Sequence, residues 1–220
     1  MLLLVCTRSK GYMAKTTGYV ISDSIHAAWD LFKEKWFIVY GLYLIPVLTA
    51  AAYSWLVQTL GEDFGVMQFF LLFIYLVVQT VVSMGIVKGY LNLVRGEEIT
   101  VETFKNMLPL VINYVLGTLL MMFIVLGGLI LLIVPGIYFS LKYYFVPFLL
   151  IDKKMGPKEA LAASAKMTDG IKWELVGLFS VTIVLAYMGL FALIIGVFVT
   201  APVAGLSYVY FYEKALKRLS

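Results

Sequence analysis

The residue with the most chemical potential in this sequence is Lys142, because it is the only charged residue inside a long apolar stretch. A lysine at the centre of a membrane costs about 2.5–3.5 kcal/mol on insertion scales, so its ammonium needs polar partners or a route to the headgroups. Gln79, Asn113 and Ser140 are polar residues in similar apolar surroundings, and we take them as candidate partners. Together the four are candidates for a site that binds an anionic ligand or a lipid headgroup, although an inward-facing Lys142 fits a purely structural contact equally well.

Two placements of Lys142 stay open. In the first, the side chain faces the interior of a helix bundle, where Gln79 or carbonyl groups freed at a helix break at Pro135 and Gly136 bind it. In the second, the stem lies along the helix and the ammonium reaches the headgroups. Lys142 precedes Ile151 by nine residues, or about 14 Å of helix, and this depth favours the inward placement.

Catalytic chemistry has little support in the sequence. His26 is the only histidine and Cys6 the only cysteine, so histidine-pair and cysteine-built metal sites are excluded. The apolar stretches contain no acidic residue, and Ser140 lacks both a histidine base and a G-x-S-x-G turn. We therefore expect a protein that is not an enzyme, with no catalytic residues, no metal and no cofactor.

The composition explains why the candidate residues must be considered in a membrane. Apolar residues make up 62% of the 220 residues and charged residues 14%, whereas a soluble domain has about 45–50% and about 25%. The mean hydropathy is +0.96. These values exclude a soluble enzyme, a nucleic-acid-binding domain and a disordered tail, so nucleic acid is not an expected partner.

The apolar stretches predict an all-α polytopic membrane protein with six transmembrane helices in three hairpins. Each span needs about 20 apolar residues, and two stretches are long enough for two spans each. The third and fourth spans must be separated by a turn somewhere in Gly127–Gly136, where glycine and proline are available. The predicted spans are 36–60, 66–87, 110–128, 129–151, 175–193 and 197–212. They form a single membrane domain, 18–220, after a flexible leader, 1–17, or after an over-extended start that makes Met13 the true beginning.

The basic residues predict the orientation. Of the 17 lysines and arginines, 16 lie outside the spans on one side, while Gly61–Gly65, Gly127–Gly136 and Gly189–Pro202 contain none. Positive residues accumulate on the cytoplasmic side, so we expect both termini to be cytoplasmic in a plasma (cell) membrane. Of the 13 acidic residues only Glu62 and Asp63 lie on the other side. The resulting basic excess predicts membrane lipids, mainly anionic ones, as partners.

Three cytoplasmic segments have an amphipathic pattern, and each leads into a hairpin. They begin near Ser22, Thr100 and Pro157, which are residues that favour a helix start. Amphipathic helices at a membrane entry commonly lie in the interface and anchor the protein. A surface for docking a membrane-protein partner or a second copy of the chain is the alternative interpretation.

The second half of the chain contains a longer pattern that includes a Pro-Gly pair, a basic residue within the following helix, an acidic residue at the end of that helix and a further short helix. Its residues are Val134-Pro135-Gly136-Ile137-Tyr138-Phe139-Ser140-Leu141-Lys142-Tyr143-Tyr144-Phe145-Val146-Pro147, Asp152, Glu159-Ala160-Leu161, Ser164, Gly170 and Trp173. This pattern resembles the membrane domain of glycerophosphoryl diester phosphodiesterases and the uncharacterised YciC-type six-helix bacterial membrane proteins. Lys142 departs from the arginine common in those families, and the sequence has no counterpart of the phosphodiesterase barrel. The resemblance therefore implies the fold and a prokaryotic source, and not the activity.

The sequence leaves two main functions to be weighed, with an intramembrane enzyme as a third and least supported alternative. The first is a non-enzymatic integral membrane protein that binds or organises lipids or a protein partner. The second is a small transporter or channel with a polar path near Lys142 and Gln79. Interrupted helices at depth favour the second, and the absence of acidic residues from the spans disfavours it.

Overall fold

A computed structural model of the chain describes residues 20–60, 65–191 and 195–218. Within these ranges every regular element is a helix, which confirms the all-α prediction. The predicted leader, 1–17, lies outside the described residues. The helices are α1 (Val20–Leu60), α2 (Gly65–Arg95), α3 (Val101–Lys105), a short 3₁₀ turn (Leu108–Leu110), α4 (Val111–Leu131), α5 (Ile133–Lys142), α6 (Val146–Asp152), α7 (Pro157–Met167), α8 (Lys172–Phe191) and α9 (Ile195–Lys217).

Among the described residues, five segments are helical, long and apolar enough to cross a membrane. They are Ile21–Leu60, Gly65–Arg95, Leu108–Leu131, Ile133–Asp152 and Lys172–Gly189. These helices indicate a membrane protein. The last helix, α9, has 23 residues but is not one of the five, so the six-span layout stays a prediction.

The first helix is divided by a kink. α1 contains 41 residues, and Lys35 within it has the non-helical angles φ −122° and ψ 30°. The kink falls one residue before Trp36, where the first span was predicted to begin. The segment after it is about 37 Å long, which is sufficient to cross a bilayer. The segment before it buries a stripe formed by Ser24, Ala28 and Phe32, while Trp29 is exposed.

The other two amphipathic segments also form helices. Thr100 precedes α3, and its Oγ1 accepts a hydrogen bond from the N–H of Thr103 at 3.4 Å. Pro157 is the first residue of α7, where its missing N–H breaks no helical hydrogen bond. Ser22, in contrast, does not cap α1, because the helix already begins at Val20.

The turn between α4 and α5 lies at Leu132, which has extended angles of φ −166° and ψ 152°. It falls within the predicted interval Gly127–Gly136 but not at Pro135 and Gly136 themselves, which corrects the predicted helix break. Pro135 occupies the first turn of α5, where a proline is tolerated. Gly136 instead permits close packing, because a Cβ atom there would lie 2.9 Å from the Cα atom of Leu129.

The predicted span 129–151 is not one continuous helix. After the turn at Leu132, α5 ends at Lys142 and α6 begins at Val146, with Pro147 in its first turn. The segment Tyr143–Phe145 between them is a non-helical turn. The depth calculated for Lys142 assumed a straight helix to Ile151, so that distance does not apply.

Packing is concentrated at one end of the bundle, which we call the charged end because Arg95, Asp152, Glu213 and Lys214 lie there. One cluster of buried apolar side chains runs from Ala28 to Ala215 and joins α1, α2, α6, α7, α8 and α9. At the opposite end, the side chains around the α4–α5 turn are 69–86% exposed from Ile130 to Val134. The side chains are therefore packed at the charged end and exposed at the tip of the α4–α5 hairpin.

Candidate functional site

Lys142 is the last residue of α5, and its side chain is half-buried. Its Nζ atom lies 5.7 Å from the ring centroid of Tyr143 and 6.0 Å from that of Tyr138. Within the described ranges, the ammonium has no carboxylate partner and no hydrogen bond. The hydrogen bond predicted between Lys142 and Gln79 is therefore not formed, because the bend after α5 brings Lys142 to aromatic rings instead.

The other candidate residues bond elsewhere. Gln79 Oε1 accepts a hydrogen bond from Thr49 Oγ1 at 3.0 Å, which links α1 to α2. Ser140 is exposed and donates to the carbonyl oxygen of Ile137 in its own helix at 2.8 Å. Asn113 is half-buried in the first turn of α4. Their role in a ligand site stays a prediction.

The bend between α5 and α6 is held by α7. Ser164 Oγ donates to the carbonyl oxygen of Lys142 at 3.0 Å and accepts from the N–H of Phe145 at 3.2 Å. Thr168 Oγ1 lies 3.1 Å from the same carbonyl oxygen. Both hydroxyl side chains are fully buried. They supply the partners that the interrupted helix lacks, and a buried backbone group without a partner would be costly.

Lys142 belongs to a group that we call the Tyr138 cluster, which comprises Tyr138, Lys142, Tyr143, Asp169 and Lys172. Lys172, at the start of α8, donates from Nζ to the Tyr138 hydroxyl at 3.1 Å and lies 4.7 Å from the ring centroid. It also forms an ion pair with Asp169 at 3.2 Å. Two ammonium groups therefore lie within about 6 Å of one tyrosine ring, a geometry in which cation–π attraction is favourable.

Sequence reasoning did not find this cluster. Tyr138 and Lys142 are four residues apart and therefore share a helix face, which is a signal that the sequence contains. Lys172 comes from a different helix, 34 residues from Tyr138, and no local pattern connects them.

A second charged group joins the ends of three helices. Arg95 at the end of α2 forms a two-pronged ion pair with Asp152 at the end of α6, with Nη2 2.8 Å from Oδ2. Its Nε donates to Glu213 Oε1 of α9 at 2.8 Å. The hydroxyl of Tyr212 donates to Asp152 Oδ2 at 3.0 Å. Only 3% of the Asp152 side chain is exposed, so its charge depends on these partners.

We call this group the Arg95 lock, because it holds the ends of α2, α6 and α9 together. Its members are Arg95, Asp152, Tyr212 and Glu213. Arginine suits this position because its planar guanidinium can contact two carboxylates in fixed directions. Asp152 was part of the sequence resemblance, but its partners were missed. Their sequence separation, 118 residues between Arg95 and Glu213, exceeds what spacing rules can detect.

The described part of the chain also has cavities, and one of them borders the Tyr138 cluster through Asp169. One of about 180 Å³ is at the charged end, beside Lys166, Asp169, Gly170 and Arg218. The other, of about 270 Å³, is lined by residues that include Tyr53, Gln68 and Phe69. Neither is lined by Lys142 or Gln79. Within the described ranges, no group of three or more histidine, cysteine or acidic side chains is placed to hold a metal ion.

These features define a helical membrane protein with its charges paired at one end. The chain is 27% identical over 130 residues to three mycobacterial proteins, namely Uncharacterized protein Mb2590 of Mycobacterium bovis and Uncharacterized proteins MT2637 and Rv2560 of Mycobacterium tuberculosis. The matched region is 59% of this chain and 40% of each relative. The match therefore spans less than half the length of these relatives. No family model and no solved structure matches the chain.

Proposed function

We propose that this chain is a non-enzymatic integral membrane protein that binds anionic lipids at its charged end. In this proposal the chain crosses the plasma membrane six times, and both termini and the charged end face the cytoplasm. A second copy of the chain or another membrane protein is a further partner class. The proposal assigns no transport path to Lys142 and Gln79.

The observation that carries the proposal is the distribution of tryptophan and lysine at the charged end. Trp29, Trp36 and Trp173 are exposed there, and Trp173 is 86% exposed. Lys33 Nζ lies 5.9 Å from the ring centroid of Trp29. Exposed tryptophans beside lysines are typical of the headgroup region of a membrane, where the ring is partly buried and the ammonium is hydrated.

The basic excess supports an anionic lipid. Each lysine or arginine near an anionic leaflet contributes about 1 kcal/mol, and acidic neighbours offset this. Several acidic groups at the charged end are already paired with basic ones, as Asp152 and Glu213 are with Arg95. The remaining exposed lysines, such as Lys154 and Lys166, are available to the membrane surface.

The test is lipid retention by the intact protein. The wild-type chain is purified in a mild detergent from membranes of mixed composition, and native mass spectrometry records the bound phosphatidylglycerol and phosphatidylcholine. We expect preferential retention of phosphatidylglycerol, and the preference should fall as salt is raised because surface charges are screened. Equal retention of the two lipids at low salt would refute the proposal. Uptake of a solute by proteoliposomes that depends on Lys142 and Gln79 would instead support a transporter.

A further inference from the structure

We propose that Lys142 and Lys172 together bind the phosphate group of one anionic phospholipid beside the ring of Tyr138. This inference rests on the proposed function and deepens it, because it assigns the headgroup to particular residues. Four features of the molecule support it, namely the charge of Lys142, its distance from Lys172, the net charge of the cluster and the adjoining apolar surface.

The first feature is that no acidic side chain among the described residues balances the charge of Lys142. Its ammonium has three N–H donors, yet its contacts within the described ranges are the rings of Tyr138 and Tyr143. An aromatic face attracts a cation but does not neutralise it. A half-buried cation in an apolar helix is costly unless an anion accompanies it. The anion must therefore come from outside the described part of the chain.

The second feature is that another cation, Lys172, lies beside the same tyrosine ring as Lys142. Lys172 Nζ lies 4.7 Å from the Tyr138 ring centroid, and Lys142 Nζ lies 6.0 Å from the same centroid. Lysine has a flexible four-carbon stem, so both ammonium groups can reach one anion that lies beside the ring. Tyr138 itself is exposed, so the site is open to a ligand from the membrane.

The third feature is the net positive charge of the Tyr138 cluster. It contains two ammonium groups and the Asp169 carboxylate, which leaves one positive charge. Asp169 is 79% exposed, so solvent weakens its hold on Lys172. One surplus charge matches the single negative charge of a phosphodiester. A phosphate oxygen accepts strong, charge-assisted hydrogen bonds from ammonium donors.

The fourth feature is an exposed apolar surface on α5 that continues from the Tyr138 cluster. On α5, Ile133, Val134 and Ile137 are all exposed, and they extend from the cluster toward the hairpin tip. Acyl chains can lie along this surface while the phosphate contacts the lysines. Free phosphate would use only the charged part, so the combination indicates a lipid.

The experiment measures phosphatidylglycerol binding to the full chain by native mass spectrometry. We expect Lys142→Gln and Lys172→Gln each to weaken binding about fivefold, the effect of removing one basic residue near an anionic lipid. Lys158→Gln is the matched control, because it removes the same charge from an exposed position on α7, and its binding should stay within about twofold of the wild type. Lys142→Arg, which keeps the charge, should retain binding. Thermal unfolding of each variant shows whether it is folded. If Lys142→Gln is unfolded, phosphatidylglycerol binding by Lys172→Gln tests the proposal.

Each outcome has a defined meaning. Wild-type binding in the folded Gln variants overturns the lysine pair but leaves the proposed function intact. Failure of the wild-type protein to prefer phosphatidylglycerol over phosphatidylcholine overturns the proposed function first. If millimolar inorganic phosphate displaces phosphatidylglycerol, the site binds a soluble phosphate, and the proposal that it binds a lipid is overturned. Loss of binding in Lys158→Gln equal to that in Lys142→Gln shows that charge alone, without the Tyr138 cluster, accounts for binding.

Discussion

The hydroxyl of Ser164 donates a hydrogen bond of 3.0 Å to the backbone carbonyl oxygen of Lys142. The hydroxyl oxygen of Ser164 also accepts a hydrogen bond from the N–H of Phe145, so one small side chain bridges the gap between α5 and α6. This contact ties an amphipathic helix to an interruption in an apolar one. It also sets the place where α5 ends, and hence where the Lys142 ammonium can reach.

Replacing Ser164 should destabilise the fold. In Ser164→Ala, the N–H of Phe145 loses its partner in a buried site, and we expect a loss of about 1–3 kcal/mol in the free energy of unfolding. Thermal or detergent-induced unfolding measures it. Ser140→Ala is the control, since Ser140 is exposed and bonds only within its own helix, and it should change stability by less than about 0.5 kcal/mol. Similar effects in both variants would contradict the bridging role.

The Arg95 lock gives a larger effect. In Arg95→Met, Glu213 loses its cation and Asp152 keeps only Lys153, whose Nζ is 3.9 Å away. Removal of one partner from a buried ion pair costs about 3–5 kcal/mol. Arg95→Lys should recover only part of this, because an ammonium cannot make the two-pronged contact. Unfolding measurements on the two variants test the order.

A matched control for the Arg95 lock is available at the end of α9. Arg218 pairs with Glu174 at 3.6 Å and is exposed, so Arg218→Met should cost no more than about 1 kcal/mol. Arg95→Met with a loss as small as that of Arg218→Met would show that the lock contributes little.

The close return of α5 against α4 should depend on glycine. A Cβ atom at Gly136 would lie 2.9 Å from the Leu129 Cα atom, and backbone atoms cannot move aside as a flexible side chain can. We expect Gly136→Ala to lose about 1–3 kcal/mol through overpacking. At Gly127 a Cβ atom meets nothing within 4 Å, so Gly127→Ala should be neutral or gain up to about 1 kcal/mol. Comparing the unfolding of these two variants isolates the contact from helix propensity.

The proposed orientation can be tested with single cysteines in a Cys6→Ser background. Leu132→Cys places a thiol at the exposed α4–α5 turn, and Lys158→Cys places one on α7 at the charged end. With a membrane-impermeant maleimide, intact cells should label Leu132→Cys, whereas Lys158→Cys should need permeabilisation. Labelling of Lys158→Cys in intact cells would reverse the orientation.

The features that the sequence predicted well are those that depend on local composition. The all-α class is one of them, and the predicted start of the first span at Trp36 lies one residue after the kink at Lys35. The turn between the third and fourth spans was placed within Gly127–Gly136, and it lies at Leu132. Runs of apolar residues and nearby glycines are sufficient for such boundaries, because each depends on a few neighbouring residues.

The features that the sequence did not predict depend on contacts between distant segments. The interruption at Tyr143–Phe145 has no glycine, and an average over apolar residues does not reveal it. Its stability depends on Ser164 and Thr168, which belong to another helix. The hydrogen bond between Lys142 and Gln79 was expected for a straight helix from Lys142 to Ile151, and it is not formed because α5 ends at Lys142.

The contrast between the packed charged end and the open α4–α5 tip has a mechanical consequence. Side chains from Ile130 to Val134 are 69–86% exposed, whereas Met121 and Ile124, earlier in α4, pack against the buried cluster. A hairpin tip that has no packing partners of its own can shift to match the hydrocarbon layer around it, and hydrophobic mismatch costs only fractions of a kcal/mol per Å. The fold can thereby accommodate membranes of different thickness while the Arg95 lock at its base keeps one geometry.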